Sequence, residues 1–264
     1  MDDDLSRRLQ RARVYDLAQP YYAGMPHHPT HPPFLFGMIK LHGDFVTPAG
    51  GSSAADAFAG GSHVGTHIDA LSHFSLCGQF HGGKPVTQSI TGGVGDFSVD
   101  TIGPIVRRGV LLDLAGLLNS GEPLASDFLV TPAHLDTAVE RQGVRLEPGD
   151  VVLLRTGWAQ YWHDARRFLA QMHMPGPGLD GAQWLSARGI FAAGSDTVAF
   201  ERQPDASMPV HLHLLVEHGI HIIECLNLEQ LARDQAWNFT FVASPMKLAG
   251  ATGAPLSPLA FAER

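Results

Sequence analysis

Apolar residues in this chain fall in short runs bounded by glycine, proline and polar turn residues, the pattern of many short strands with helices between them. Val110-Leu111-Leu112-Asp113-Leu114, Val151-Val152-Leu153-Leu154-Arg155 and Ile190-Phe191-Ala192-Ala193-Gly194 are near-continuous hydrophobic stretches, as expected of buried strands. Val14 to Leu17, Phe34 to Ile39 and Ile220 to Glu224 read as further strands, and the tail from Trp237 to Met246 as one or two. Helices are marked by their ends. Thr131-Pro132 supplies a hydroxyl cap with proline at the first helical position, and Gly143 stops that helix after Gln142. Asp180 to Arg188 reads as a second helix closed by Gly189, and residues 211–218 as a third closed by Gly219. Asn227 caps a short one through Arg233, and residues 5–12 form a short helix at the start. On an α-helix over 211–218, His211, Leu214, Leu215 and His218 share one face while His213 points elsewhere.

This order of elements is that of an α/β or α+β domain, without the clean strand–helix–strand alternation of a doubly wound nucleotide-binding sheet. No internal repeat and no low-complexity linker divides it, so residues 1–264 are read as a single domain. Two irregular segments stand out: the proline- and histidine-rich loop from Pro20 to Pro33, and the glycine-rich stretch 49–61. The second delivers the chain to its most informative block.

That block is Ser62-His63-Val64-Gly65-Thr66-His67-Ile68-Asp69-Ala70-Leu71-Ser72-His73-Phe74. It places three histidines and an aspartate at spacing H-x3-H-x-D-x3-H. Gly65-Thr66 opposes a regular helix, so an irregular turn leading into a short extended segment is expected. On that segment His67 and Asp69 point to one face, with His63 reaching the same point from the turn and His73 just beyond. Burying these groups together without an ion leaves several polar atoms to satisfy. Two imidazoles and a carboxylate suffice as a ligand set for Zn²⁺ or Mn²⁺ and leave positions open for water, so His63, His67 and Asp69 are the expected metal ligands. A structural site would normally be closed by four protein ligands, and three fixed ones favour catalysis over a non-catalytic metal-binding role.

Composition narrows the classes. A net charge of −8 with no Lys/Arg-rich tract opposes nucleic-acid and anionic-membrane partners. Met1-Asp2-Asp3-Asp4 lacks the basic start of a secretory signal, and no apolar run approaches a membrane span. Only Cys77 and Cys225 occur, which suits a reduced, cytoplasmic setting. Eight of the 15 histidines fall in two windows, 63–81 and 211–221, where a non-functional excess would scatter. No nucleophile elbow, no H-E-x-x-H and no phosphate-binding glycine loop is found.

The histidine block resembles the signature H-x-G-T-H-x-D-x-P-x-H of the cyclase family of metal-dependent hydrolases, which includes kynurenine formamidases and isatin hydrolases. Every fixed position matches except that Leu71 stands where the family has proline. The resemblance runs from Asp16-Leu17 to Glu224-Cys225-Leu226-Asn227-Leu228. It implies a swivelling β/β/α fold, a barrel-like twisted sheet with flanking helices. It also implies a divalent metal, Zn or Mn, and a homo-oligomer, dimer or tetramer. In the family a histidine about a dozen residues before Glu224 joins that glutamate in the metal region. His211 fits by its preceding Pro-Val, with His213 as a rival. Glu224 closes an apolar strand, where an unpaired carboxylate would be rare. Asp196, in a turn like the family's Gly-x-Asp-x, is expected to support a ligating histidine. Tyr22, Phe34, Phe36 and Trp158 are the expected substrate-binding aromatics.

The expected activity is hydrolysis of a C–N bond in a small, aromatic amide, formamide or lactam by a metal-activated water, with His73 as the proton-transferring residue. The alternatives are a metal-dependent dehydration or ring closure of a small carbonyl compound, and a metal-binding protein without catalysis.

Overall fold

The computed structural model describes residues 3–263, with side chains from Ser6 onward. In chain order its principal strands are β1 (Arg13–Asp16), β2 (Leu35–Lys40), β3 (Ala55–Ala59), β4 (His67–Asp69), β5 (Ile105–Asp113) and β6 (Val151–Arg155). They continue with β7 (Ala192–Ser195), β8 (His221–Glu224), β9 (Asn238–Ala243), β10 (Gly253–Pro255) and β11 (Leu259–Ala262). Nine of them form one strongly curled, half-barrel sheet in the order β1-β11-β9-β5-β6-β7-β8-β4-β10. β5, β6, β7 and β8 run parallel, and antiparallel strands extend the sheet on both sides.

The near-continuous hydrophobic runs have a direct cause: both faces of the parallel block are buried. Leu111, Val151, Leu153, Ala192 and Ile223 face one core, with Tyr15, Phe239, Phe241 and Leu231. Their neighbours Val110, Leu112, Val152, Leu154, Ala193 and Ile222 face the other, beneath Leu135, Ala138, Trp184, Leu185, Leu214 and Leu215 from the helical layer. Each buried Val, Leu, Ile or Phe side chain among these contributes roughly 1.5–3 kcal/mol of transfer free energy, so this double-sided block anchors everything attached to it.

The helix Pro132–Gln142 has the expected bounds: the Thr131 N–H donates to His134 Nδ1 at 3.2 Å, and Gly143 ends the helix at φ 63°. The structure corrects the sequence reading in four places. Strand–helix–strand alternation is present after all, because helical segments connect each successive pair of parallel strands from β5 to β8. A short helix, Leu114–Asn119, follows β5 directly and is capped by Asp113, whose Oδ1 accepts from the Gly116 N–H at 2.9 Å. The region 211–218 is not an α-helix; a single α-turn, Pro209–His211, continues as a π-helix over Leu212–Glu217. Finally, β10 and β11 lie beyond the tail strand that the sequence marked, in runs too short and proline-rich to read.

Among the described residues β2 and β3 pair only with each other, as a ribbon standing off the body. Its strand was expected from the apolar run, but its side chains are exposed: Phe36 52%, Ile39 72% and Phe58 62%.

Candidate metal centre

β4 is three residues long, and its place in the sheet makes the site. It pairs antiparallel with β8, setting His67 opposite Glu224 and Asp69 opposite Ile222. Strand alternation turns Ile68 and Ile223 into one core and leaves His67, Asp69 and Glu224 on the other face, under the helical layer. The α-turn Pro209–His211 brings His211 onto that face. Gly65 shapes the preceding turn at φ 64°, and a side chain there would run into the Tyr21 ring, 2.4 Å from the Cβ position. The Tyr21 hydroxyl donates to Val64 O and Thr66 O at 2.7 and 2.8 Å. Thr66 Oγ1 accepts from the Gln19 N–H and donates to Cys225 O, tying the turn to the chain after β8. Gly253 in β10 leaves room for the His63 ring, which a Cβ would approach to 2.4 Å.

His63, His67, Asp69, His73, His211 and Glu224 converge. His63 Nδ1 lies 2.6 Å from Asp69 Oδ1. The His67 Nδ1–H donates to Gly65 O at 2.8 Å, which leaves Nε2 as the lone-pair nitrogen. That Nε2 is 3.5 Å from both Asp69 Oδ1 and Glu224 Oε2. His211 Nε2 is 3.4 Å from Glu224 Oε1 and 3.8 Å from Asp69 Oδ2. The His73 ring stacks on His63 with centroids 3.9 Å apart. Ligand atoms of His63, Asp69 and His73 lie within 4.8 Å of one another, as do those of Asp69, His211 and Glu224, so Asp69 belongs to both groups.

The centre fits a cation. His67 Nε2 and Asp69 Oδ2 are buried with no hydrogen-bond partner, a cost that a metal between them removes. Burial opposes a charge on His67 and on His211, yet the carboxylates win: Asp69 and Glu224 raise His67, and Glu201 with Glu224 push His211 up to about 10. Burial likewise opposes the Asp69 carboxylate, but the His73 and His63 imidazoles hold it well below the usual range. The carboxylates draw positive charge into a closed space, which a divalent ion supplies better than protons.

The family model Cyclase, described as "Putative cyclase", matches residues 15–202. The chain belongs to the cyclase family. An isatin hydrolase from Roseibium aggregatum is 28% identical over 210 residues, covering 76% of this chain and 72% of that one. A kynurenine formamidase from Bacillus cereus is 30% identical over 198 residues, covering 74% and 73%. The crystal structure described as a novel cyclase superposes with a TM-score of 0.87 at 28% identity, over 97% of this chain and 88% of that one.

Set in this cyclase-family frame, the departure at Leu71 has a local explanation. The His73 N–H donates to Ala70 O at 2.9 Å, so residues 70–73 form a turn with Leu71 at its second position. Proline suits that position by its fixed φ, and leucine occupies it by packing against the helical-layer core instead.

The remaining expected residues are placed less centrally. Trp158 is buried in the apolar cluster with Val64, Trp162 and Cys225, and its indole N–H donates to Phe168 O at 2.7 Å. Tyr22 turns its hydroxyl to Trp162 O at 2.8 Å and its ring toward His163. Phe34 packs edge-on against Tyr21, 5.4 Å between centroids, and Phe36 lies on the exposed ribbon. Asp196 accepts from Thr156 N–H and Oγ1–H at 2.9 and 2.6 Å rather than from a histidine, and burial pushes its carboxyl up to about 6. His213 turns away to Ser186 and Glu217.

Three contributors were missed by sequence reasoning. Glu201 is buried, with Oε1 2.5 Å from His211 Nδ1 and accepting the His211 N–H at 3.1 Å, so it orients that ring. Phe74 lies 4.9 Å from the His211 ring and 5.0 Å from His73. His31 stacks on His63 at 5.2 Å, and burial beside His63 pushes it down to about 4, a neutral imidazole at physiological pH. His31 sits in a proline-rich loop 32 residues before the block (63 − 31). The only signal for it was the density of histidines in that loop.

Proposed function

We propose that this chain hydrolyses the C–N bond of a small aromatic amide, formamide or lactam at the centre built around Asp69. The observation that carries this reading is the pair of buried atoms without partners, His67 Nε2 and Asp69 Oδ2, set against Glu224 and His211. His63, His67 and Asp69 hold a divalent metal, and Glu224 with His211 hold a second ion or orient water. Zinc or manganese suits this mixed nitrogen and oxygen set. Such an ion polarises a carbonyl and lowers the pKa of water from about 15.7 toward about 7. His73 accepts the proton of the attacking water and returns it to the leaving nitrogen; burial, with His63 and His211 nearby, outweighs the pull of Asp69 and holds its imidazole well below its ordinary pKa, in the neutral form. Phe74 and His31 form the walls against which a planar ring rests, with Phe34 behind Tyr21. Tyr22 and Trp158 back Phe34 and Tyr21 from the same apolar cluster, and Phe36 takes part only through the ribbon. The dehydrating or ring-closing alternative is not favoured, since the relatives named above are an isatin hydrolase and a kynurenine formamidase.

The chain acts as one domain and as a homo-oligomer, dimer or tetramer. A two-stranded ribbon is marginal by itself in water, and Leu35, Phe36, Met38, Ile39 and Phe58 expose apolar surface along this one. A cytoplasmic setting completes the reading, supported by two cysteines that form no disulfide. Among the described residues no helix is long and apolar enough to cross a membrane.

Metal-stripped protein reloaded with Zn²⁺ or Mn²⁺ tests the activity, with isatin and an N-formyl arylamine as substrates. Turnover of either should stop with chelator and return with metal. Activity indifferent to chelation defeats the proposal.

A further inference from the structure

The π-helix that follows His211 carries a second cluster of metal-ligand type, and none of its members takes part in the centre above. His213 is buried, whereas Glu217 and His218 are exposed. His213 Nδ1 lies 2.8 Å from Glu217 Oε2, and its Nε2 lies 2.9 Å from Ser186 Oγ. His218 closes the turn: its backbone N–H donates to His213 O at 3.1 Å and its Nδ1–H to the same oxygen at 3.0 Å. The two imidazoles then sit with centroids 4.1 Å apart. One ligand atom from each of His213, Glu217 and His218 lies within 4.8 Å of the others.

We propose that His213, Glu217 and His218 form a peripheral site for a divalent transition metal of the Zn²⁺, Cu²⁺ or Ni²⁺ type. The chemistry of each ligand is set by what its other atoms do. Ser186 can accept the Nε2–H of His213, and Nδ1, which donates to Glu217 in the metal-free arrangement, becomes the metal-binding nitrogen when an ion displaces that proton. The carbonyl of His213 fixes the proton of His218 on Nδ1, which leaves its Nε2 free to bind. A metal-bound histidine is usually held in this way by a hydrogen bond from its other nitrogen. Ligands bound at about 2.0–2.2 Å stand roughly 3–3.5 Å apart around a tetrahedral ion. Small swings of the exposed Glu217 and His218 side chains reach that spacing. Two imidazoles with one carboxylate select transition metals over Mg²⁺ and Ca²⁺, which prefer all-oxygen sites. The π-turn is what adds His218 to the site, because it stacks residues i and i+5, while Glu217 at i+4 stays in contact with His213.

The site is independent of the activity proposed above, and the test separates them. Protein with its centre filled is titrated with Zn²⁺ by equilibrium dialysis and compared with Glu217→Gln/His218→Ala. Wild type should bind one equivalent more than the double variant, and Zn²⁺ should raise the Tm of wild type but not of the variant. Asp69→Asn should lower occupancy of the centre while leaving the one-equivalent difference intact. Both changed residues are exposed, and Glu217→Gln alone serves if the double variant folds poorly. Cu²⁺ added to wild type should give an electron paramagnetic resonance spectrum with nitrogen splitting that the variant lacks. Equal zinc stoichiometry in wild type and variant overturns the site and leaves His213–Glu217 as an ion pair only.

Discussion

The two histidine-rich windows hold four histidines each, 63–81 and 211–221, yet the fold uses them differently. In the first window His63, His67 and His73 all gather around Asp69, because a three-residue strand and the turns at its two ends keep them on one side of the sheet. In the second only His211 joins them; His213 and His218 meet each other on the π-turn, and His221 bonds the carbonyl of Asp69 from behind. Residue density alone therefore does not say which histidines share a centre. What separates the windows is the buried carboxylates: Asp69 and Glu224 sit inside the first group, whereas Glu217 lies at the surface.

That contrast can be broken or sharpened by substitution. The largest effect is expected from His67→Ala, which removes the imidazole whose Nε2 lies between two carboxylates; elemental analysis should show most of the metal of the centre lost, and turnover should fall to background. Metal content equal to wild type would remove His67 from the ligand set. His73→Ala should keep the metal while the rate drops roughly 10²–10⁴-fold, the usual worth of general acid–base help. Its deficit should shrink at higher pH, where hydroxide replaces the base, and a pH-independent deficit would argue for a positioning role. Glu201→Gln should reduce metal affinity or activity by about 10–100-fold, since it loosens the hold on the His211 ring. A dialysis series with metal buffers measures that change, and an unaltered affinity and rate would make Glu201 structural. Leu71→Pro should raise stability by about 0.4–1 kcal/mol through the unfolded chain, leaving turnover within error. Chemical denaturation with activity assays checks both, and a loss of activity would show that the turn matters to the centre. The smallest effect belongs to His218→Ala, which should leave the rate of enzyme with a filled centre unchanged; a large loss would erase the distinction between the windows.

Much of the site was legible because local spacing dictates it. His67 and Asp69 share a face on any extended segment, and Gly65 signals a turn that no other residue could make against Tyr21. Glu224 was legible as a carboxylate at the end of an apolar run. His31 and Glu201 were not, because each reaches the centre through a loop whose path depends on what it packs against. The ribbon 35–59 shows the same limit from the other side: its apolar run marked a strand correctly but gave no sign that the strand would lie outside the core.

By itself the sequence determined the strand-rich class, the bounds of the helix from Pro132 to Gln142, and the ligand types clustered in residues 63–73, all of which follow from near-neighbour geometry. Only the tertiary structure decided that β4 lies beside β8, which is what sets Glu224 opposite His67 across 157 residues (224 − 67). It alone decided between His211 and His213 as neighbours of Asp69. An α-helix and a π-helix differ by one residue in their hydrogen-bond span, and that one residue rotates His218 from the face of His211 to that of His213. Packing of Leu214 and Leu215 into the core beneath the helical layer accompanies that choice, and such long-range packing is not written in local spacing.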